Sequence, residues 1–153
     1  MNKTRGFTLP EILVGIAIMA VIATLIAVNV SSFIQGQALN NAVDEVTVLL
    51  NDARTRTLSA SGSNYYGVRL ESTKATLFLG PTYSSGTSTN KVYTPHSSIV
   101  LSSITLNGGG ADVFFDPVNG DTSNYGTLIV KRSSTTSGQK TITITKTGLV
   151  SSN

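Results

Sequence analysis

From Ile12 to Val43 the chain holds no charged residue, and residues 12–30 are apolar apart from Gly15, Thr24 and Asn29. A run of this length is what a helix needs to span a hydrocarbon layer. From Ser31 the pattern changes. Leu39, Ala42, Val43, Val46, Leu49, Leu50, Ala53 and Leu58 recur at steps of three and four, with Asn40, Asn41, Asp44, Glu45, Asn51, Asp52, Arg54 and Arg56 between them. That is one apolar stripe on a polar helix. The two patterns predict a single helix from about residue 8 to 60, apolar all round in its first half and one-faced in its second. Thr8-Leu9-Pro10-Glu11 supplies its start as a capping box, Thr8 at the N-cap and Glu11 at the third helical position. Pro10 is tolerated in the first turn, where its missing N–H has no intrahelical partner. Gly62, in Ser-Gly-Ser-Asn, supplies the stop.

Beyond residue 62 the period becomes two. Tyr66, Val68 and Leu70 alternate with Gly67 and Arg69, and Ala75, Leu77 and Leu79 alternate with Thr76 and Phe78. Glu71-Ser72-Thr73 between them reads as a hairpin turn. Gly80–Asn90 reads as a polar loop. Ile99 and Leu101 are in phase with each other and out of phase with Ile104 and Leu106, so Ser102-Ser103 marks a bulge or a break. Val113 with Phe115, Leu128 with Val130, and Ile142 with Ile144 mark further strands. Asp116-Pro117-Val118-Asn119-Gly120-Asp121 reads as a turn cluster. The expected fold is α+β: one long N-terminal helix packed on an antiparallel sheet domain of about six strands.

Composition changes this picture little. The net charge is +3, and Lys3 and Arg5 supply two of those charges, which weakens any argument for nucleic acid. There is no cysteine, which excludes disulfides and thiolate metal sites. Charged residues are only 12% of the chain, which suits β-structure facing an extracytoplasmic space.

Charge placement changes it more. Lys3 and Arg5 precede the apolar run and no cation directly follows it, which puts the N-terminus in the cytoplasm and the globular part outside. A cleaved secretory signal is the rival reading. Against it stand the length of the run, the acid ahead of it, and the lack of a small-residue cleavage site after it. Glu11 sits alone at the mouth of the run, and an unpaired carboxylate at the edge of hydrocarbon is costly. Either a partner neutralises it or it sits at headgroup level.

Gly6, Phe7, Thr8, Leu9 and Glu11, behind a short basic leader and ahead of a long apolar helix, resemble the prepilin signal of type IV pilins and type II secretion pseudopilins. The resemblance implies a leader of residues 1–6, cut between Gly6 and Phe7 by a prepilin peptidase that also N-methylates Phe7. It implies a role for Glu11 in subunit assembly, and an assembly and membrane helix over residues 7–30. An amphipathic half-helix over 31–61 and an extracytoplasmic β-rich domain over 62–153 would follow. Leu49 to Arg54, Val113 to Gly120 and Thr141 to Gly148 are similar to segments of minor pseudopilin H and FimT-type minor pilins. The implied partners are the peptidase, the inner membrane and other pilins or pseudopilins in a helical filament.

No catalytic set accompanies this. His96 is the single histidine and reads as a loop residue, and no catalytic or phosphate-loop motif is present. No cofactor is expected. Asp112, Asp116, Asn119 and Asp121 carry hard oxygen ligands, but their spacing does not match a Ca²⁺ loop, and a turn is the better reading. Lys131, Arg132, Lys140 and Lys146 lie in the last hairpin region. Some FimT-type pilins bind DNA through basic residues at the C-terminal end, whereas this chain ends Leu149-Val150-Ser151-Ser152-Asn153, without a cation. The sequence therefore points to a structural subunit of a type II secretion pseudopilus or type IV pilus. A DNA-uptake pilin and a signal-anchored membrane enzyme are the alternatives.

Overall fold

The computed structural model describes residues 6–60, 65–134 and 138–153, without the side chains of residues 26–31. Helix α1 runs Leu9–Ser59. The strands are β1 (Tyr66–Glu71), β2 (Lys74–Leu79), β3 (Lys91–Tyr93), β4 (Ile99–Leu106), β5 (Asp112–Phe114), β6 (Gly126–Arg132), β7 (Gln139–Ile144) and β8 (Val150–Ser152). They form two four-stranded sheets, ordered β3-β2-β1-β5 and β4-β6-β7-β8. Every pairing is antiparallel. The α+β class agrees with the periodicity. The strand count does not: eight are present among the described residues, where about six were expected. The additional two, β3 and β8, are three residues each, too short to show alternation, and pairing to β2 and β7 fixes them.

The chain divides into two compact units, one ending at Gln35 and one running Gly36–Asn153. In the first, every described side chain of α1 from Leu9 to Leu25 is exposed. Among the described residues no helix is long and apolar enough to cross a membrane. The predicted span over residues 7–30 runs past Leu25 into side chains outside the description.

In the second unit, the stripe on α1 meets both sheets in one core. Leu39, Ala42, Val43, Val46, Leu49, Leu50 and Ala53 are buried with Val68, Leu77, Leu101, Val113, Phe115, Leu128 and Ile142. Leu58 departs from the expected stripe and is 40% exposed, while Thr57 is fully buried. A four-residue step from Ala53 reaches position 57, so the stripe passes Leu58 by. The Thr57 hydroxyl donates to the Ala53 carbonyl at 2.8 Å and accepts from the Tyr66 N–H at 3.0 Å, tying the end of α1 to the start of β1. The predicted stop at Gly62 lies outside the described residues. A further tie holds α1 in place: Asp52, paired within the helix to Arg56 at 2.8 Å, also reaches Lys91 of β3 at 3.8 Å. The Asp52 hydrogen bond and its charge raise the Arg56 pKa above its usual value. Tyr93 packs against the core, and burial, aided by the charge of Glu45, raises its hydroxyl pKa.

In the first sheet β2 is buried on both faces, which alternation alone did not predict. Thr76 and Phe78, expected outward, are as buried as Ala75 and Leu77, and Leu79 is 40% exposed. The cover comes from the Gly80–Asn90 loop. Tyr83 stands edge-on to Phe78 at 5.4 Å and under the Arg69 guanidinium at 4.9 Å, and Phe78 meets Phe114 edge-on at 5.5 Å. Gly67 pairs with both Phe78 and Phe114, and the bare backbone leaves room for the two rings to meet over it. Arg69 then bridges to Asp112 at 3.0 Å. In the second sheet the β4–β6 register shifts between Ser102 and Thr105, with Ser103 at a φ of +47°. This is the interruption that the phase change between Leu101 and Ile104 marks.

Candidate functional site

Gly6 and Phe7 precede the first turn of α1, and both are exposed, Phe7 at 79%. Lys3 and Arg5 lie outside the described residues. The bond between Gly6 and Phe7 is thus presented on a short non-helical segment just before a capped helix. The Thr8 carbonyl accepts the N–H groups of Glu11 at 3.1 Å and Ile12 at 3.2 Å. The Glu11 carboxylate accepts from the Thr8 N–H at 3.5 Å, a long contact that forms the acidic half of the capping box. No ion pair to Glu11 forms among the described residues. Glu11 helps to line an apolar groove of about 430 Å³, with Phe7, Ile12, Gly15, Ile16 and Met19. Nothing lies within 4 Å of the place a Gly15 side chain would take, so the glycine leaves a notch one turn beyond the acid. The exposed Gly6–Phe7 bond, a carboxylate with spare lone pairs and an apolar notch therefore share one helix start.

The other candidate residues are not brought together as a site. Asp112 is taken up by Arg69. Asp116 Oδ1 accepts the Val118 N–H at 2.7 Å, and Asn119 bonds the Asp121 N–H at 3.0 Å and its carboxylate at 3.1 Å. These are turn-stabilising bonds, in keeping with the turn reading. Among the described residues no group of three or more His, Asp or Glu could hold a metal. His96 is exposed, with Nδ1 bonded to Ser98 Oγ at 2.8 Å. The four cations fall in separate places. Lys131 pairs with Gln139 on the face opposite buried Val130, while Lys140 pairs with Val130 itself. Arg132 packs against Gly138, and Lys146 sits in the turn beyond the far end of β7.

The family described as "Prokaryotic N-terminal methylation motif" matches residues 1–27. No curated protein matches the chain. Two crystal structures of the type IV minor pilin FimU from Pseudomonas aeruginosa share its fold. One is 13% identical, covers 74% of this chain and 91% of FimU, and has a TM-score of 0.56. The other is 15% identical, covers 78% and 90%, and has a TM-score of 0.57. The fold is type IV pilin-like. The motif match is confined to the N-terminal 27 residues, and the likeness to FimU is one of fold.

In this pilin-like fold, one residue that pattern reading assigned to the polar face of α1 has a larger part. Arg54 Nε donates to the Gly120 carbonyl at 3.0 Å, and a terminal guanidinium nitrogen donates to the Thr147 carbonyl at 3.5 Å. It bolts the Asp116–Asp121 turn and the β7–β8 turn to the helix. Gly120 and Gly148 both have positive φ, and a side chain on Gly148 would strike the Gly120 carbonyl. A cation on a helix among acids gives no sequence signal for this. The two glycines after polar turn residues were the only available hint.

Proposed function

We propose that the chain is a minor pilin or pseudopilin, made as a precursor, cut between Gly6 and Phe7 by prepilin peptidase, N-methylated on Phe7 and held in the inner membrane through residues 7–30. The N-terminus lies in the cytoplasm and the Gly36–Asn153 unit outside. The subunit then joins a pilus or pseudopilus, its apolar half-helix buried among those of its neighbours. The observation that carries this reading is the setting of Glu11, an acid that forms no ion pair among the described residues and lies on the edge of an exposed apolar groove beside Phe7. Cutting after Gly6 converts the Phe7 amide into an amine. Glu11 of one subunit and that amine of the next then neutralise each other. The pair acts through register rather than net attraction, because desolvating both ions offsets much of their Coulomb gain. A slipped subunit leaves a bare charge in an apolar bundle, at a cost of several kcal/mol.

Mass spectrometry of the protein from its own host tests the processing. The mature chain lacks residues 1–6 and carries one added methyl on Phe7. An intact leader, or a chain trimmed beyond the apolar run, overturns the reading. Glu11→Gln tests the assembly step, since glutamine keeps a capping group and loses the charge. Normal incorporation of that variant into filaments refutes the pairing. A DNA-uptake version of this role would draw on Lys131, Arg132, Lys140 and Lys146, and its binding would weaken steeply with salt.

A further inference from the structure

The globular unit holds a cleft of about 390 Å³ that assembly through the N-terminal helix does not use. The rings of Tyr65 and Phe114 line it, together with Asp116, Asn119, Asp121 and Lys146. Its walls are held in place without a ligand. Phe114 is fixed edge-on by Phe78. Asp116 and Asn119 are set by the bonds within their own turn. The Thr122 N–H donates to the Lys146 carbonyl at 2.9 Å, which brings the β7–β8 turn, and Lys146 with it, alongside the acidic turn. Tyr65 remains 39% exposed, and Lys146 makes no ion pair among the described residues.

Charge narrows the ligand. Two carboxylates against one ammonium leave a local negative excess, which disfavours phosphate or any polyanion. The shape of the chemistry narrows it further. Aromatic residues contribute apolar surface to the cleft. Carboxylate acceptors, an amide and an ammonium donor line it with them. A sugar ring has a C–H face for the first and hydroxyls, each both donor and acceptor, for the second. The volume lies within the range of small-ligand sites. We infer that this cleft binds a neutral saccharide. The inference does not depend on how the subunit assembles.

The test uses the full chain in a zwitterionic detergent without sugar headgroups, probed with an array of neutral, sialylated and sulfated oligosaccharides. Hits are followed by saturation-transfer NMR. The expected result is binding of neutral glycans at or below about 10 mM, weakened about tenfold or more by Tyr65→Ala and by Lys146→Met, with circular dichroism unchanged. Absence of glycan binding at that concentration overturns the inference. So does binding that neither substitution weakens, or a preference for sulfated glycans. Filament incorporation of the same variants is read in parallel, so failure of the saccharide site and failure of the assembly reading are told apart.

Discussion

Thr57→Val exchanges a hydroxyl for a methyl at nearly constant volume, inside a site with no solvent access. The hydroxyl joins the last turn of α1 to the first residue of β1, donating to Ala53 and accepting from Tyr66. Losing the net contribution of one hydrogen bond costs about 1 kcal/mol, and leaving the half-buried Tyr66 N–H without a partner adds about 1–3 kcal/mol. The added methyl returns roughly 0.8 kcal/mol of burial. The expected loss is about 2 kcal/mol, or roughly 6–10 °C in Tm for a unit of this size. Urea denaturation of a Gly36–Asn153 fragment is the assay, because every residue of the core lies within it. That fragment is expected to be soluble and cooperative. Thr57→Ser is the control: it keeps the hydroxyl, drops a methyl and costs about 1 kcal/mol. If Thr57→Val matches the parent within about 0.5 kcal/mol, or is more stable than Thr57→Ser, the bond to β1 contributes nothing and the reasoning fails.

Arg54→Ala removes the donor shared by the Gly120 and Thr147 carbonyls and is expected to cost about 2 kcal/mol, with faster amide exchange in both turns as the specific readout. Arg54→Lys recovers only part of this, since a single ammonium cannot reproduce the fork. Gly67→Ala places a methyl 2.8 Å from Phe78 Cζ and 2.9 Å from Phe114, and should lose about 1–3 kcal/mol, with shifted ring resonances for both phenylalanines. Unchanged ring shifts would contradict it. Tyr93 has a raised pKa, so the folded state holds its proton more tightly than the unfolded state, and stability falls as pH rises above about 10. Tyr93→Phe should flatten that decline relative to the parent, measured by urea midpoints from pH 9 to 11.

The helix was legible in the sequence because its signals are long and redundant. The apolar stripe repeats over about four turns, and Thr8 with Glu11 marks the start to the residue. The β4 bulge was legible too, because one inserted position reverses the phase of Ile104 and Leu106 against Ile99 and Leu101. The second face of β2 was not. Its burial depends on Tyr83, which reaches back from a Ser/Thr/Gly loop with no local pattern of its own. The same holds for Arg54, whose acceptors lie 66 and 93 positions along the chain. At the N-terminus, Gly6, Phe7 and Glu11 stood out through the order of basic leader, acid and apolar run. The cleft of Tyr65, Phe114 and Lys146 joins three distant segments, and no spacing rule could gather them.

The sheet margins carry a consequence for crowding. β3, β5 and β8 offer three residues apiece to any incoming chain, and β4, the one longer margin, is kinked at Ser103. None presents a straight run of free amides on which a neighbouring copy could extend the ladder. In the fibre proposed above, globular heads standing shoulder to shoulder would therefore be kept from zipping together, and a subunit could be withdrawn or replaced without tearing a continuous sheet.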